Sequence, residues 1–496
     1  MQKNKFNITI LILLSAAFLL GSCEKSLLRP VPESVLTTAN AYNTAKDMDL
    51  AVLGIYNSLQ SRVPKDFELM EVPSGNVWVQ YFATAPGIDE ISTLTVSPQN
   101  DKLNSFWKTT YNGIFRANLV LANIDKPTDY ATSKKEQLTG EAKFLRAWFY
   151  FDLVRIFGGV PAVTTVITAN ESRNTGRASE QDIYALIVAD LKDAIAGLPA
   201  PSSADWGRAS KGAAVALLAK VYVYLKDWNN AKTYLDELFS GEFSYSLLTN
   251  YADLFKVATE KNSEAIFSVA YAAGTNGQSL TYDLAPIGGV YNVVNNGNRV
   301  IRPSWDLRKA FEEDDSRFPV TIAEDWYPFA YKQGDPAIFY PYINKWLVPS
   351  DPASSGLDIP VLRLADLILL NAETLYNLNK PDLALAAINK VRERAFGNAS
   401  HDYELSDIAT EEIFYDKLLL ERRLELAVEN DRWFDLVRTG RYTTVIQHIE
   451  GEYTSKTGGA TIMTMSAKPY MKYFPIPYEQ IQLAAPGVLT QNEGYN

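Results

Sequence analysis

Two kinds of pattern alternate along the chain. Apolar residues recur at helical spacing over residues 105–157, 180–240, 363–396 and 411–440, and residues 39–59 predict a first helix before them. Residues 62–98 and 270–357 lose that period and fill with Gly, Pro, Asn and aromatic side chains, which predicts large loops carrying short strands, at residues 265–271 and 343–348. Residues 303–317 predict one helix and a turn, with the acidic run 312–315 as a solvated helix end. The last 25 or so residues predict an extended strap with one helical turn near residues 478–482.

An internal repeat ties the helical blocks together. Ala219 and Tyr222, then Ala231 and Leu235, match in offset Ala372 and Leu375, then Ala384 and Ile388. Small residues at these places let two antiparallel helices approach closely, and Asp227 and Pro381 suit the first turn of the second helix in each copy. This is a tetratricopeptide-like pair. Pairs near residues 105–157, 209–240, 363–396 and 411–440 predict a mainly α fold, in which four such pairs form a scaffold with long loop-rich inserts and a few short strands. The long inserts rule out a regular solenoid.

The closing block, residues 411–441, reads EEIFYDKLLLERRLELAVENDRWFDLVRTGR. Leu420, Leu424 and Ala427 form one stripe, Asn430 interrupts it, and a shorter helix with Trp433, Phe434, Leu436 and Val437 ends at Gly440 in the place of a left-handed cap. Arg422, Arg423, Glu425, Glu429, Arg432, Asp435 and Arg438 lie close to the apolar stripe. Buried charges need partners, so the block reads first as an ion-paired hairpin and second as a carboxylate site.

Composition narrows the chemistry. Net charge is −11, which gives no electrostatic basis for nucleic acid or anionic headgroups and suits an uncharged ligand. The 28 Tyr and 9 Trp exceed what a core alone demands, and such rings serve half-wet binding surfaces. Two His, at positions 401 and 448, lie beside neither a second imidazole nor a thiol, so no zinc site is expected. The chain has no GxSxG elbow, Walker loop or dinucleotide fingerprint, and no cofactor is expected. A pair of glycosidase carboxylates could still hide among 58 acidic residues.

Residues 1–22 combine Lys3 and Lys5 with an apolar run and end in Leu20-Gly21-Ser22 before Cys23, the sole cysteine. This resembles a lipoprotein signal with its lipobox, and it predicts lipidation at Cys23 followed by a tether over residues 23–38 and one domain over residues 39–496.

The order of six motifs carries a wider resemblance. They are FWKTTYNGIFRANLVLANID at 106–125, GEAKFLRAWFYFDLVRIFGGVP at 140–161, RASKGAAVALLAKVYVYLKDWNNA at 208–231, LRLADLILLNAETLYNLN at 362–379, ERRLELAVENDRWFDLVRTGR at 421–441 and YFPIPYEQIQLAAPGVLTQNEGY at 473–495. With the lipobox, the chain resembles the SusD/RagB family of outer-membrane nutrient-binding lipoproteins. That resemblance implies a glycan or similar nutrient on a loop-rich face, a SusC-like TonB-dependent transporter beneath it, lipid anchoring at the outer membrane facing the exterior, and no catalysis. A carbohydrate-degrading enzyme and a scaffold without small ligand are the alternatives. The family's binding residues do not transfer by motif, so the candidate ligand residues come from the two aromatic inserts. Trp78, Tyr81, Tyr291, Trp326 and Tyr327 are platforms, and Asn76, Asn296 and Arg299 are hydroxyl partners. Trp107, Trp148, Trp433 and Phe434 lie inside helical motifs and belong to the scaffold.

Overall fold

The computed structural model describes residues 41–79, 86–351, 354–464 and 467–495. The signal sequence, Cys23, the tether and Tyr81 lie outside them. The first helix, α1 (Ala45–Arg62), starts six residues later than its apolar pattern suggests. Thr44 fixes that start by accepting from the Asp47 backbone, and Asp47 reciprocates. There follow α2 (Asp101–Asn123), α3 (Lys134–Phe157), α4 (Glu180–Gly197), α5 (Lys211–Tyr224), α6 (Trp228–Phe239), α7 (Leu364–Asn377), α8 (Pro381–Phe396), α9 (Glu411–Glu425) and α10 (Arg432–Arg438).

Each of these helices packs on the next, so the chain builds its core in series. The repeat positions carry the contacts: Ala219, Ala231, Leu235, Ala372, Ala384 and Ile388 are fully buried. Asp227 caps α6 and Pro381 opens α8, as their positions require. In the pair α2–α3, Gly113 takes the place of the small residue. A Cβ there would stand 2.4 Å from the Phe149 ring, so only glycine allows this approach.

Short antiparallel ribbons bridge the inserts: β1 (Val77–Val79) with β3 (Ile301–Pro303), β2 (Ala265–Val269) with β6 (Ile359–Arg363), β4 (Ile322–Trp326) with β5 (Ile338–Ile343), and β7 (His448–Glu450) with β8 (Ile462–Thr464). The strand expected at residues 343–348 therefore lies earlier, ending where that span begins. Pro341 is tolerated because each ribbon has free edges, where a missing N–H costs no ladder bond. Residues beyond it turn inward: Trp346 is buried with Nε1 donating to Val428 O at 2.9 Å, and Lys345 Nζ donates to Ala427 O at 2.6 Å.

The closing hairpin is an ion-paired scaffold element. Arg317 reaches Glu421 at 2.6 Å and Glu425 at 3.1 Å, and Arg363 reaches Glu425 at 2.5 Å and Glu264 at 3.0 Å. All five side chains are almost wholly buried. Burial alone pushes the Glu425 carboxyl up; Arg394, Arg363 and Arg317 together outweigh it and hold the group well below the usual carboxylate range. A second cluster joins Arg422 to Asp366 at 2.8 Å and Asp435 at 2.7 Å, and Lys220 to Asp366 and Asp431. The acidic run 312–315 is only partly solvated, because Asp315 is buried against Arg317 at 2.7 Å and Glu312 pairs with Arg392.

Candidate functional site

Two loops of the 270–357 insert meet over the stack. In the first of these loops, Gly288 and Gly289 adopt φ of 92° and 72°, and a Cβ on Gly289 would fall 2.1 Å from Val294 O. Glycine is required there for both reasons. The resulting tight loop offers its backbone to the β4–β5 hairpin: Trp326 Nε1 donates to Gly289 O at 2.8 Å, Phe329 N to Gly288 O at 3.0 Å, and Tyr291 N to Tyr327 O at 2.9 Å. Three hydrogen bonds among six residues thus lock the two loops together.

The locked loops display rings. Tyr331 stands between Tyr291, at 5.0 Å and 67°, and Tyr327, at 4.9 Å and 78°, in edge-to-face contacts that favour these separations. Tyr291, Tyr327 and Phe329 remain 41%, 38% and 49% exposed. Trp326 is half-buried and leans on Tyr340 at 5.1 Å, while the Arg302 guanidinium covers the Tyr340 ring at 4.2 Å. The face is therefore an exposed aromatic arc with a braced second row.

A polar cleft of ≈ 510 Å³ borders the root of this insert at Asn298 and Val300. Lys65 lines it from the turn after α1, and Asp101, Lys102, Ser105 and Thr109 from α2. Lys65–Asp283, at 2.5 Å, and Lys102–Glu68, at 2.9 Å, satisfy much of its charge. At its floor Arg62 Nε and Asp66 Oδ1 are buried without a hydrogen-bond partner among the described residues. A single hydroxyl could accept from the first and donate to the second. Burial, opposed by Arg62 and reinforced by Asp152, lifts the Asp66 carboxyl to about 7.

The structure brings together Tyr291, Asn296, Arg299, Trp326 and Tyr327, all on the 270–357 insert. Asn296 is exposed, and Arg299, half-buried, has its guanidinium 5.8 Å from the Tyr340 ring centre. Trp78 is half-buried in β1, opposite Arg302, with its ring laid on Gly451, where a Cβ would meet it at 1.8 Å. Asn76 has to be removed from the ligand set. It is fully buried, donating to Glu71 at 2.8 Å and accepting from Arg423 at 2.8 Å, because the 71–76 turn docks beneath the closing hairpin. Sequence reasoning missed Tyr331, Phe329 and Tyr340, which composition could not separate from their neighbours. It also did not single out the cleft, although much of its lining comes from the 62–98 and 270–357 inserts. No group of three or more His, Cys, Asp and Glu side chains placed to hold a metal exists among the described residues.

Comparison with known proteins agrees with this architecture. A sequence profile of the SusD family matches residues 263–495, and a profile described as starch-binding, associating with outer membrane, matches residues 46–223. SusD-like protein P38 of Formosa agariphila is 30% identical, over 91% of this chain and 95% of its own length. Among solved structures, a SusD-like protein of Bacteroides fragilis superposes with a TM-score of 0.80 at 22% identity, covering 92% of this chain and 99% of its own. A laminarin-binding SusD-like protein superposes with a TM-score of 0.74 at 26% identity, covering 92% and 100%. The repeat pairs, the closing hairpin and these matches lead to one statement: the chain belongs to the SusD family.

Proposed function

We propose that this protein is a non-catalytic glycan-binding lipoprotein of the outer membrane, anchored through Cys23, that captures an uncharged oligosaccharide and passes it to a SusC-like TonB-dependent transporter. The observation that carries this reading is the aromatic arc in which exposed Tyr291 and Tyr327 flank half-buried Tyr331, braced by Trp326. Rings of this kind take the apolar faces of sugar units, while Asn296 and Arg299 bond hydroxyls at the edge. The laminarin-binding relative and the starch-binding family profile support the ligand class. The braced rings form their surface before the ligand arrives, so little ordering cost is paid on binding.

The test is calorimetric titration of the soluble chain with laminarin, starch and a wider polysaccharide panel. Binding of at least one polymer is expected, with Tyr327→Ala or Tyr291→Ala weakening it roughly tenfold and no reducing ends released. Steady release of reducing ends from the purified protein would establish the enzyme reading instead. Cell fractionation of Cys23→Ser tests the anchor: the variant should leave the membrane fraction, since lipid is the proposed attachment.

A further inference from the structure

Trp206 has no place in the site above, and its setting differs from that of every scaffold tryptophan. It is half-buried, lies outside the apolar core, and has neither a ring partner nor a cation over its face among the described residues. The surrounding chain nevertheless holds it firmly. The turn of residues 205–208 closes with Arg208 N donating to Asp205 O at 3.0 Å, and Gly207 supplies φ of 81° at the position where a type II turn needs it. A Cβ on Gly207 would also come 2.8 Å from that of Ala270. Arg208 ties the turn to Glu141 at 2.9 Å, and the indole itself donates Nε1–H to Asp358 Oδ2 at 2.6 Å. The other oxygen of Asp358 accepts from Tyr271 N at 2.7 Å, so the carboxylate cannot swing.

An indole fixed in this way stands between two open clefts. One, of ≈ 360 Å³, is bordered by Asn57 and Asn276; the other, of ≈ 200 Å³, is bordered by Ser244. These three side chains are exposed and make no hydrogen bond among the described residues. A rigid aromatic blade with unused amides and a hydroxyl beside it offers what a pyranose ring needs: a flat apolar surface for its C–H face, and polar groups within reach of its hydroxyls. Because Asp358 and Arg208 order the blade in advance, little conformational entropy is lost on binding.

We infer that the Trp206 turn is a second saccharide-binding site, separate from the aromatic arc and taking neutral sugar units. It rests on the glycan-binding reading for its ligand class, and it shares no lining residue with the arc or its cleft. Two sites on one body would let a polymer chain engage both, raising residence through effective concentration without any new contact.

The experiment is titration of the soluble chain with laminarihexaose and with a starch-derived hexasaccharide, each short enough to report sites singly. Wild type is expected to bind two molecules and Trp206→Ala one, with Trp206→Phe keeping the second site at roughly tenfold weaker affinity. Tyr327→Ala should retain binding that protects Trp206 from acrylamide quenching. Retained binding at the arc reports that Trp206→Ala is folded. Unchanged stoichiometry and affinity in Trp206→Ala would overturn the second site while leaving the glycan-binding reading intact. Loss of all binding in both Trp206→Ala and Tyr327→Ala would also overturn it, by showing a single composite site. Absence of binding by wild type across the polysaccharide panel would remove the glycan reading itself, and this inference with it.

Discussion

Replacing Glu425 by Gln removes one negative charge from among three buried guanidiniums. Glu425 Oε1 accepts from Arg363 and Arg394, and Oε2 from Arg317 at 3.1 Å. An amide keeps the shape, halves the acceptor capacity and turns an N–H₂ group toward an arginine. Breaking a buried pair by neutralising one partner costs about 3–5 kcal/mol, because the partner charges stay behind uncompensated. Against a total stability of about 5–15 kcal/mol this is a large share. Urea unfolding followed by tryptophan fluorescence should show the midpoint falling by roughly 1–1.7 M for a slope near 3 kcal/mol/M. Glycan affinity at the aromatic arc should not change. The pH dependence has a definite sign. The folded-state carboxyl is depressed, so its stabilisation is fully present above the ordinary value of 4.5 and is lost as pH falls below it toward the folded value. Wild type and variant should therefore converge in strongly acid solution. A midpoint shift below about 0.3 M, or lost affinity with an unmoved midpoint, would refute the assignment of this hairpin to the scaffold.

Other consequences are equally checkable. Asp66 has a raised folded-state value of about 7, so the folded chain binds the extra proton between about pH 4 and pH 7, and stability should decline as pH rises through that window. Asp66→Asn should flatten that decline, as read from thermal midpoints in a buffer series; an unaltered slope would assign the effect elsewhere. Gly289→Ala should cost glycan affinity more than global stability, since the strained Cβ meets Val294 O in the insert and not in the helix stack; hydrogen exchange should show loosening confined to residues near 286–299. Gly113→Ala should do the reverse, lowering stability by about 1–3 kcal/mol through overpacking against Phe149, with the arc's affinity intact in titration.

What could be seen in the sequence follows the range of the interactions involved. The repeat offsets, the Asp227 cap and the Gly440 terminus are local, and each is where its spacing places it. The same holds for the conflict between charge and apolar pattern at residues 422–438, which demands buried partners whatever their identity. The identities were not legible: Arg317 and Arg363 come from about 60–110 positions upstream of Glu421 and Glu425. Asn76 shows the limit most clearly. In sequence it sits in a polar, aromatic loop beside Trp78, yet a contact with Arg423 nearly 350 positions away removes it from the surface. The arc was half legible for a related reason. Aromatic composition marked the insert, but which rings stay exposed depends on Gly288 and Gly289 folding that loop onto the β4–β5 hairpin.

The ion-paired hairpin also sets a timetable. Glu264, Arg317, Arg363 and Arg394 are all made before Glu421 and Glu425, and a chain grows from its N-terminus. Until the last part of the polypeptide is delivered, three arginines destined for the interior have too few carboxylates to neutralise them, and the middle of the stack cannot close. A chain that stops short of α9 should therefore be cut faster by proteases than the full chain in limited digestion. The order of synthesis thus predicts that the central packing closes late, once α9 has supplied Glu421 and Glu425.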